Sequence, residues 1–267
     1  KPVERAEWKI GGRDAGSFYH AALEGFTRLL SSAPQWPDIT RSECNALIER
    51  ASSDAMNELL TGVMGDSARA RAAGEEYRRL LRRVAWTFTL AARQSKFRPE
   101  GAEVTFGYDG GLPPVRLTLE DGTVCLVRGK IDRIDRYAGD EGVYLRVIDY
   151  KSYNSELSPQ GIYWGTQLQL LIYLDAALNE EKDAQPAGAF YFRVQDPLLD
   201  EKNVKDDLEK ALARKLCLQG VTLRDVEVVR LMDSGDPPLS MPQMLKKDGD
   251  FYKEKQLAIL EQMRALI

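Results

Sequence analysis

Along the first hundred residues, apolar positions recur at helical spacing. In "DAGSFYHAALEGFTRLLSS", Tyr19, Leu23, Phe26 and Leu30 fall on one stripe, and Asp14 stands where an N-cap is expected. A loop holding Pro34, Trp36 and Pro37 ends this helix. A T-x-x-E capping box from Thr40 to Glu43 then opens a second, through "NALIERASSDAMNELL". Residues 68–98 predict a third, strongly basic helix. From Ala102 the period falls to two. "AEVTFGY", "VRLTLE", "TVCLVRGKIDRIDRY" and "VYLRVIDYKS" alternate as strands, with Asp121-Gly122 and the segment from Gly139 to Gly142 as turns, which predicts a meander of antiparallel hairpins. "GIYWGTQLQLLIYLDAALNEE" returns to helical period and "AGAFYFRV" reads as a further buried strand. Pro197 opens a polar connection, and "KEKQLAILEQMRALI" predicts a last helix. With no internal repeat, residues 1–267 are expected to form one α/β domain, mainly helical over 1–100, with a sheet-containing core and C-terminal helix over 101–267.

Composition narrows the class. A chain of 267 residues that is 43% apolar and 29% charged can bury a large core and does not read as disordered. No apolar run approaches the roughly 20 residues that span a bilayer, and no secretory signal pattern is present, so a cytoplasmic protein without a membrane partner is expected. The chain begins without Met and stops inside a helical pattern, which is expected of a fragment of a larger protein. Cys44, Cys125 and Cys217 are far apart and lack C-x2-C spacing, which argues against a disulfide framework or a four-thiolate site and predicts reduced, buried thiols. The net charge of -4 gives no global basic signal, so any nucleic-acid contact has to be local. The arginines of the 68–98 helix read either as such a contact or as a solvated face partnered by Glu75 and Glu76.

The chemistry concentrates at the end of "YLRVIDYKS". Leu145, Val147, Asp149 and Lys151 share one face of a strand, so an apolar face ends in two charges. A D-x-K tripeptide alone carries little information, and similar groups at 180–182 and 200–202 read as solvated charge. Closing the preceding hairpin at Asp140-Glu141 pairs residues whose numbers sum to 281, and Asp132 then faces Asp149. Two facing carboxylates repel unless one is protonated or a cation lies between them, and a hard divalent ion such as Mg²⁺ or Mn²⁺ suits oxygen ligands. Lys151 beside such an ion would orient or deprotonate an attacking water and offset charge on a phosphate. The plainer alternative is a salt bridge of Lys151 with Asp149 or Asp132. His20, the one histidine, lies a residue off the first helix's apolar stripe and alone reads as a packed or solvated side chain. Gln169 and Tyr173 share a helix face at i, i+4, and Arg133 and Arg136 flank Asp132 as candidates for phosphate contacts.

Taken in order, "FYHAALEGF", "AEVTFGY", "GKIDRID", "VIDYKS" and "QLQLLIYLDAAL" resemble the RecB-like branch of the PD-(D/E)XK nuclease superfamily, and within it the C-terminal nuclease domains of AddB-type subunits of bacterial helicase-nucleases. The resemblance covers nearly the whole chain. It implies a restriction-endonuclease-like core with a central mixed β-sheet flanked by helices. It implies that His20, Asp132, Asp149 and the Tyr150 carbonyl surround the metal, that Lys151 is the catalytic lysine, that Gln169 and Tyr173 position DNA, and that Glu103 is an accessory acidic residue. AddB-type proteins also hold an iron-sulfur cluster on four cysteines. The three cysteines here do not match that spacing, so the cluster ligands are expected outside this chain, and no G-x4-G-K-[ST] loop is present for ATP. The expected function is a Mg²⁺- or Mn²⁺-dependent DNase acting on single-stranded DNA delivered by an AddA-type partner during break repair and recombination. The alternatives are a catalytically silent nuclease-fold DNA-binding or scaffolding module, and a stand-alone endonuclease.

Overall fold

The computed structural model describes residues 12–59, 68–119, 121–153, 157–181, 183–197, 199, 208–246 and 249–251. Three helices come first, α1 (Gly12–Ser31), α2 (Arg41–Leu59) and α3 (Ala68–Arg93). The strands β1 (Arg98–Phe106), β2 (Val115–Thr118), β3 (Val124–Val127), β4 (Gly129–Gly139) and β5 (Gly142–Lys151) follow. Then come α4 (Pro159–Tyr163), α5 (Gln169–Glu180), β6 (Ala184–Arg193), α6 (Leu208–Lys215), β7 (Gln219–Thr222) and α7 (Val226–Met232). The helix expected at the C-terminus lies outside the described residues.

The stripe on α1 packs inward as its spacing requires, with Tyr19, Leu23, Phe26 and Leu30 all buried. Asp14 falls within the first turn of α1 rather than at the cap. The capping box is in place. The Thr40 backbone N–H donates to Glu43 Oε2 at 2.7 Å, and the Glu43 N–H donates back to Thr40 Oγ1 at 3.3 Å.

The central sheet runs β1-β4-β5-β6-β7. It is mixed, because β5 and β6 are parallel while the other neighbours are antiparallel. A parallel pair needs a crossover, which α4 and α5 supply. One face of the sheet packs on α1 to α3 through Phe26, Leu81, Ile148 and Phe192, and the other packs on α5 through Val147, Leu171, Leu174 and Ala189. Burial on both faces explains why the strands are nearly continuous in apolar residues.

Three expectations need correction. The stretch "TVCLVRGKIDRIDRY" is two strands, because β3 pairs only with β2 in a separate small sheet, whereas β4 pairs with β1 and β5. The long helix from Gly161 is broken at Gly165, whose φ of +70° reverses the chain between α4 and α5. Of the cysteines only Cys44 is buried; Cys217 is partly exposed and Cys125 fully so.

The described arginines Arg78, Arg79, Arg82, Arg83 and Arg93 of the basic helix α3 are engaged within the chain. Arg78 pairs with Glu75 at 2.7 Å, Arg82 with Glu49 at 2.5 Å, and both Arg79 and Arg83 with Asp196. Arg93 donates to the carbonyls of Pro37 and Ile39. No helix among the described residues is long and apolar enough to cross a membrane.

Candidate active site

The β4–β5 hairpin has the register expected from its turn, running from Gly139↔Gly142 to Arg133↔Ile148. One further step brings Asp132 opposite Asp149. Both are nearly buried, at 6% and 2% exposure. Asp132 Oδ2 accepts from the Tyr150 backbone N–H at 2.7 Å, which fixes that carboxylate against the end of β5. Beside β4, β1 contributes Glu103, and α1 lays His20 over the sheet edge with Nδ1 3.3 Å from Asp132 Oδ1 and 3.9 Å from Glu103 Oε1. One donor atom from each of His20, Glu103 and Asp132 lies within 4.8 Å of the others.

Asp149 pairs with Lys151 Nζ at 2.6 Å. Lys151 also donates to Gln169 Oε1 at 3.1 Å, and Gln169 Nε2 donates to Tyr173 Oη at 2.8 Å. The pair at i, i+4 on α5 therefore reaches the lysine by a short hydrogen-bonded chain. His20, Glu103, Asp132, Tyr150 and Lys151 open onto one cavity of about 680 Å³, with Ser17, Lys130 and Tyr153 among its other walls.

Electrostatics follow from this crowding. Burial and the charge of Asp132 push the Asp149 carboxyl up from 3.8 to about 6, against the pull of Lys151 and His20. Burial works to lower the His20 pKa, but its hydrogen bond to Asp132 and the charges of Asp132, Asp149 and Glu103 outweigh it, so the imidazolium is favoured. Lys151 is likewise raised, since burial is overcome by its pairing with Asp149. In this protonation pattern the imidazolium and the ammonium offset the carboxylates. The donor set fits a divalent cation, because an imidazole and carboxylates converge where burial and the charge of Asp132 already push the neighbouring Asp149 carboxyl toward its neutral form.

Glu103 adopts φ +52°, the left-handed region, inside a strand. That backbone costs on the order of 1–3 kcal/mol for a non-glycine residue and is retained where the surroundings enforce it. Its carboxylate pairs with Lys130 and faces His20. Nothing in the sequence pattern singles out Lys130, although it lies two residues before Asp132 on the same strand. Arg133 is not available to phosphate, and Arg136 is partly exposed in an ion pair. Arg133 is buried and donates to Asp135 at 2.5 Å and 3.1 Å, and Arg146 grips the same carboxylate at 2.8 Å. Arg136 is engaged by Glu181 at 2.6 Å.

Comparison with known proteins bears on the family. The sequence pattern described as the PD-(D/E)XK nuclease superfamily matches residues 4–262. The chain is also similar to proteins named as the B-type subunit of an ATP-dependent helicase/deoxyribonuclease. It is 33% identical to that of Alkaliphilus oremlandii over all of this chain, 36% identical to that of Pelotomaculum thermopropionicum over all of it, and 34% identical to that of Geobacillus kaustophilus over 98% of it. It spans about a quarter (24%) of the length of each of these relatives.

Proposed function

The chain belongs to the PD-(D/E)XK nuclease superfamily, and on that premise we propose that it is a metal-dependent deoxyribonuclease unit that hydrolyses phosphodiester bonds at the β4–β5 strand ends. The observation that carries this reading is the meeting of His20, Glu103, Asp132 and Lys151 at one open cavity, with Asp149 paired to that lysine behind it.

Nucleases of this superfamily use divalent metals, and His20, Asp132, Asp149 and the carbonyl of Tyr150, with Glu103 beside them, would hold Mg²⁺ or Mn²⁺. A cation held there supplies Lewis-acid polarisation of the phosphate and a water of lowered pKa. The protein's own groups do the rest. The Tyr150 N–H keeps Asp132 aimed at the site, and Gln169, itself held by Tyr173, keeps the Lys151 ammonium at the cavity wall. With its pKa raised, Lys151 remains charged at neutral pH and acts by offsetting charge that accumulates on the phosphate oxygens rather than as a base. His20 must lose its proton to become a ligand, so metal affinity rises with pH.

The relatives' name supports placing this unit in one subunit of an ATP-dependent helicase/deoxyribonuclease; the motif resemblance adds to the proposal a cytoplasmic setting, single-stranded DNA as substrate, an AddA-type subunit as partner, and a role in break repair and recombination. An iron-sulfur cluster belongs to this reading only through ligands outside the chain, since Cys44, Cys125 and Cys217 lie far apart in sequence, in α2, in β3 and between α6 and β7. The test is degradation of end-labelled single-stranded DNA in Mg²⁺, Mn²⁺ or chelator. Cutting that needs metal and is lost in Asp149→Ala and Lys151→Ala, with DNA binding kept, supports the reading. A folded, intact protein that binds DNA and never cuts it overturns it.

A further inference from the structure

Between the strand that carries Lys151 and the helix that carries Gln169, the chain makes a compact turn with two aromatic rings on its outside. Trp164 is 73% exposed and Tyr163 66%. The described tryptophans Trp36 and Trp86 are buried, and their indole N–H groups donate to Thr89 and Glu209. An indole left in water is therefore not a general habit of this chain.

The turn that displays these rings is built to hold still. Ser158 caps α4 by accepting from Gly161 N–H at 2.9 Å, and its own N–H donates to Gln167 Oε1 at 2.8 Å. The N–H groups of Thr166 and Gln167 both donate to the Gly161 carbonyl, and Trp164 N–H donates to that of Gln160 at 2.9 Å. Ile162 anchors the turn in the core at 2% exposure. The rings of Tyr163 and Trp164 meet edge to face, with centroids 5.1 Å apart at 83°. Rigid aromatics displayed in this way lose little entropy when they bind.

We propose that Trp164, supported by Tyr163, is a base-stacking platform for single-stranded DNA running to the catalytic cavity. The inference rests on the nuclease reading above. Three observations favour nucleic acid over a protein partner as the occupant. The turn leads within five residues to Gln169, which holds Lys151, so chain reach alone keeps Trp164 within roughly 18 Å of Gln169, a span of a few nucleotides. Tyr153, also exposed, lines the cavity with its ring centroid 6.0 Å from Lys151 Nζ, so a second exposed aromatic stands at the site itself. Around the rings stand Gln160, Thr166 and Gln167 rather than exposed aliphatic residues, whereas Leu119, Val124 and Leu126 expose an aliphatic surface elsewhere, on and beside β2 and β3. Bases stack on isolated aromatics in polar surroundings, while protein docking faces need contiguous apolar area.

The test uses the intact protein with an end-labelled single-stranded oligonucleotide and the variants Trp164→Ala and Trp164→Phe. Loss of one stacked base should raise KM by roughly 5- to 150-fold in Trp164→Ala while kcat holds, with Trp164→Phe retaining most of the affinity. Replacing the bases of the substrate by abasic sites should erase the difference between wild type and Trp164→Ala. A second readout is the emission of Trp164, isolated as the difference between wild type and Trp164→Phe, which should be quenched on binding. Unchanged KM, absent quenching, or a defect that persists equally on abasic DNA overturns the platform and leaves the nuclease reading standing. Failure of the wild-type protein to bind or cut DNA overturns both.

Discussion

The Asp149→Asn substitution turns the site's electrostatics into a stability measurement. In the metal-free protein the Asp149 carboxyl is raised from 3.8 to about 6, chiefly by burial and by Asp132. A raised acid binds its proton more tightly in the folded state than in the unfolded one, so stability is greatest below the unfolded value and falls as pH rises through the folded value. The full effect, from below pH 4 to above pH 6, is about 3 kcal/mol for this shift. Asparagine has nearly the shape of the protonated acid and no charge to desolvate. In chelator, the advantage of Asp149→Asn over wild type should therefore grow by up to about 3 kcal/mol between pH 4 and pH 8, which corresponds to a melting-temperature difference of roughly 6–12 °C for a chain of this size. His20, whose pKa is also raised, adds a pH dependence of the same sign; the share due to Asp132 and Glu103 is common to both proteins and cancels, whereas the share due to Asp149 is absent from the variant. Urea unfolding at the two pH values measures the gap. A gap that is constant, or a variant less stable than wild type at pH 8, refutes the reasoning.

Other expectations follow from single contacts. Gln169→Leu removes the acceptor that holds Lys151, and should lower kcat on the order of 10- to 100-fold with DNA binding retained, read by single-turnover cleavage beside a binding assay. Asp135→Asn leaves the buried guanidiniums of Arg133 and Arg146 without their shared counter-charge, and should destabilise by about 3–5 kcal/mol in urea unfolding. Glu103→Gly releases the left-handed backbone while losing the contact with Lys130. Stability in chelator should change by less than about 1 kcal/mol, whereas Mn²⁺ affinity measured by titration should fall by roughly tenfold or more.

The hairpin at the heart of the site is legible in the sequence because two signals agree. Glycines at 139 and 142 fix the turn, and period-2 alternation on both sides fixes which residues face each other. The same alternation conceals the break between β3 and β4, since nothing at Arg128-Gly129 distinguishes one long strand from two that serve different sheets. Gly165 is a visible signal for the break before α5, but within a helical pattern it reads equally well as a small residue on a helix face. Arg133 misleads for another reason. A charged residue between Asp132 and Ile134 looks like a solvent-facing position, and only the placement of Asp135 and Arg146 beside it in the fold makes its burial tolerable. Glu103 is suggested by family resemblance alone, because its closeness to His20 depends on α1 crossing the edge of β1, a long-range contact that no local pattern encodes.

The central claim is that a divalent cation is held where His20, Glu103 and Asp132 converge, next to Asp149. Calorimetric titration of Mn²⁺ into the intact wild-type protein and into Asp132→Ala, at pH 6 and pH 8, tests it most directly. The account predicts binding that tightens at the higher pH as protons leave His20 and Asp149, and its loss in the variant. Absence of binding, or binding that Asp132→Ala leaves unchanged, would contradict it.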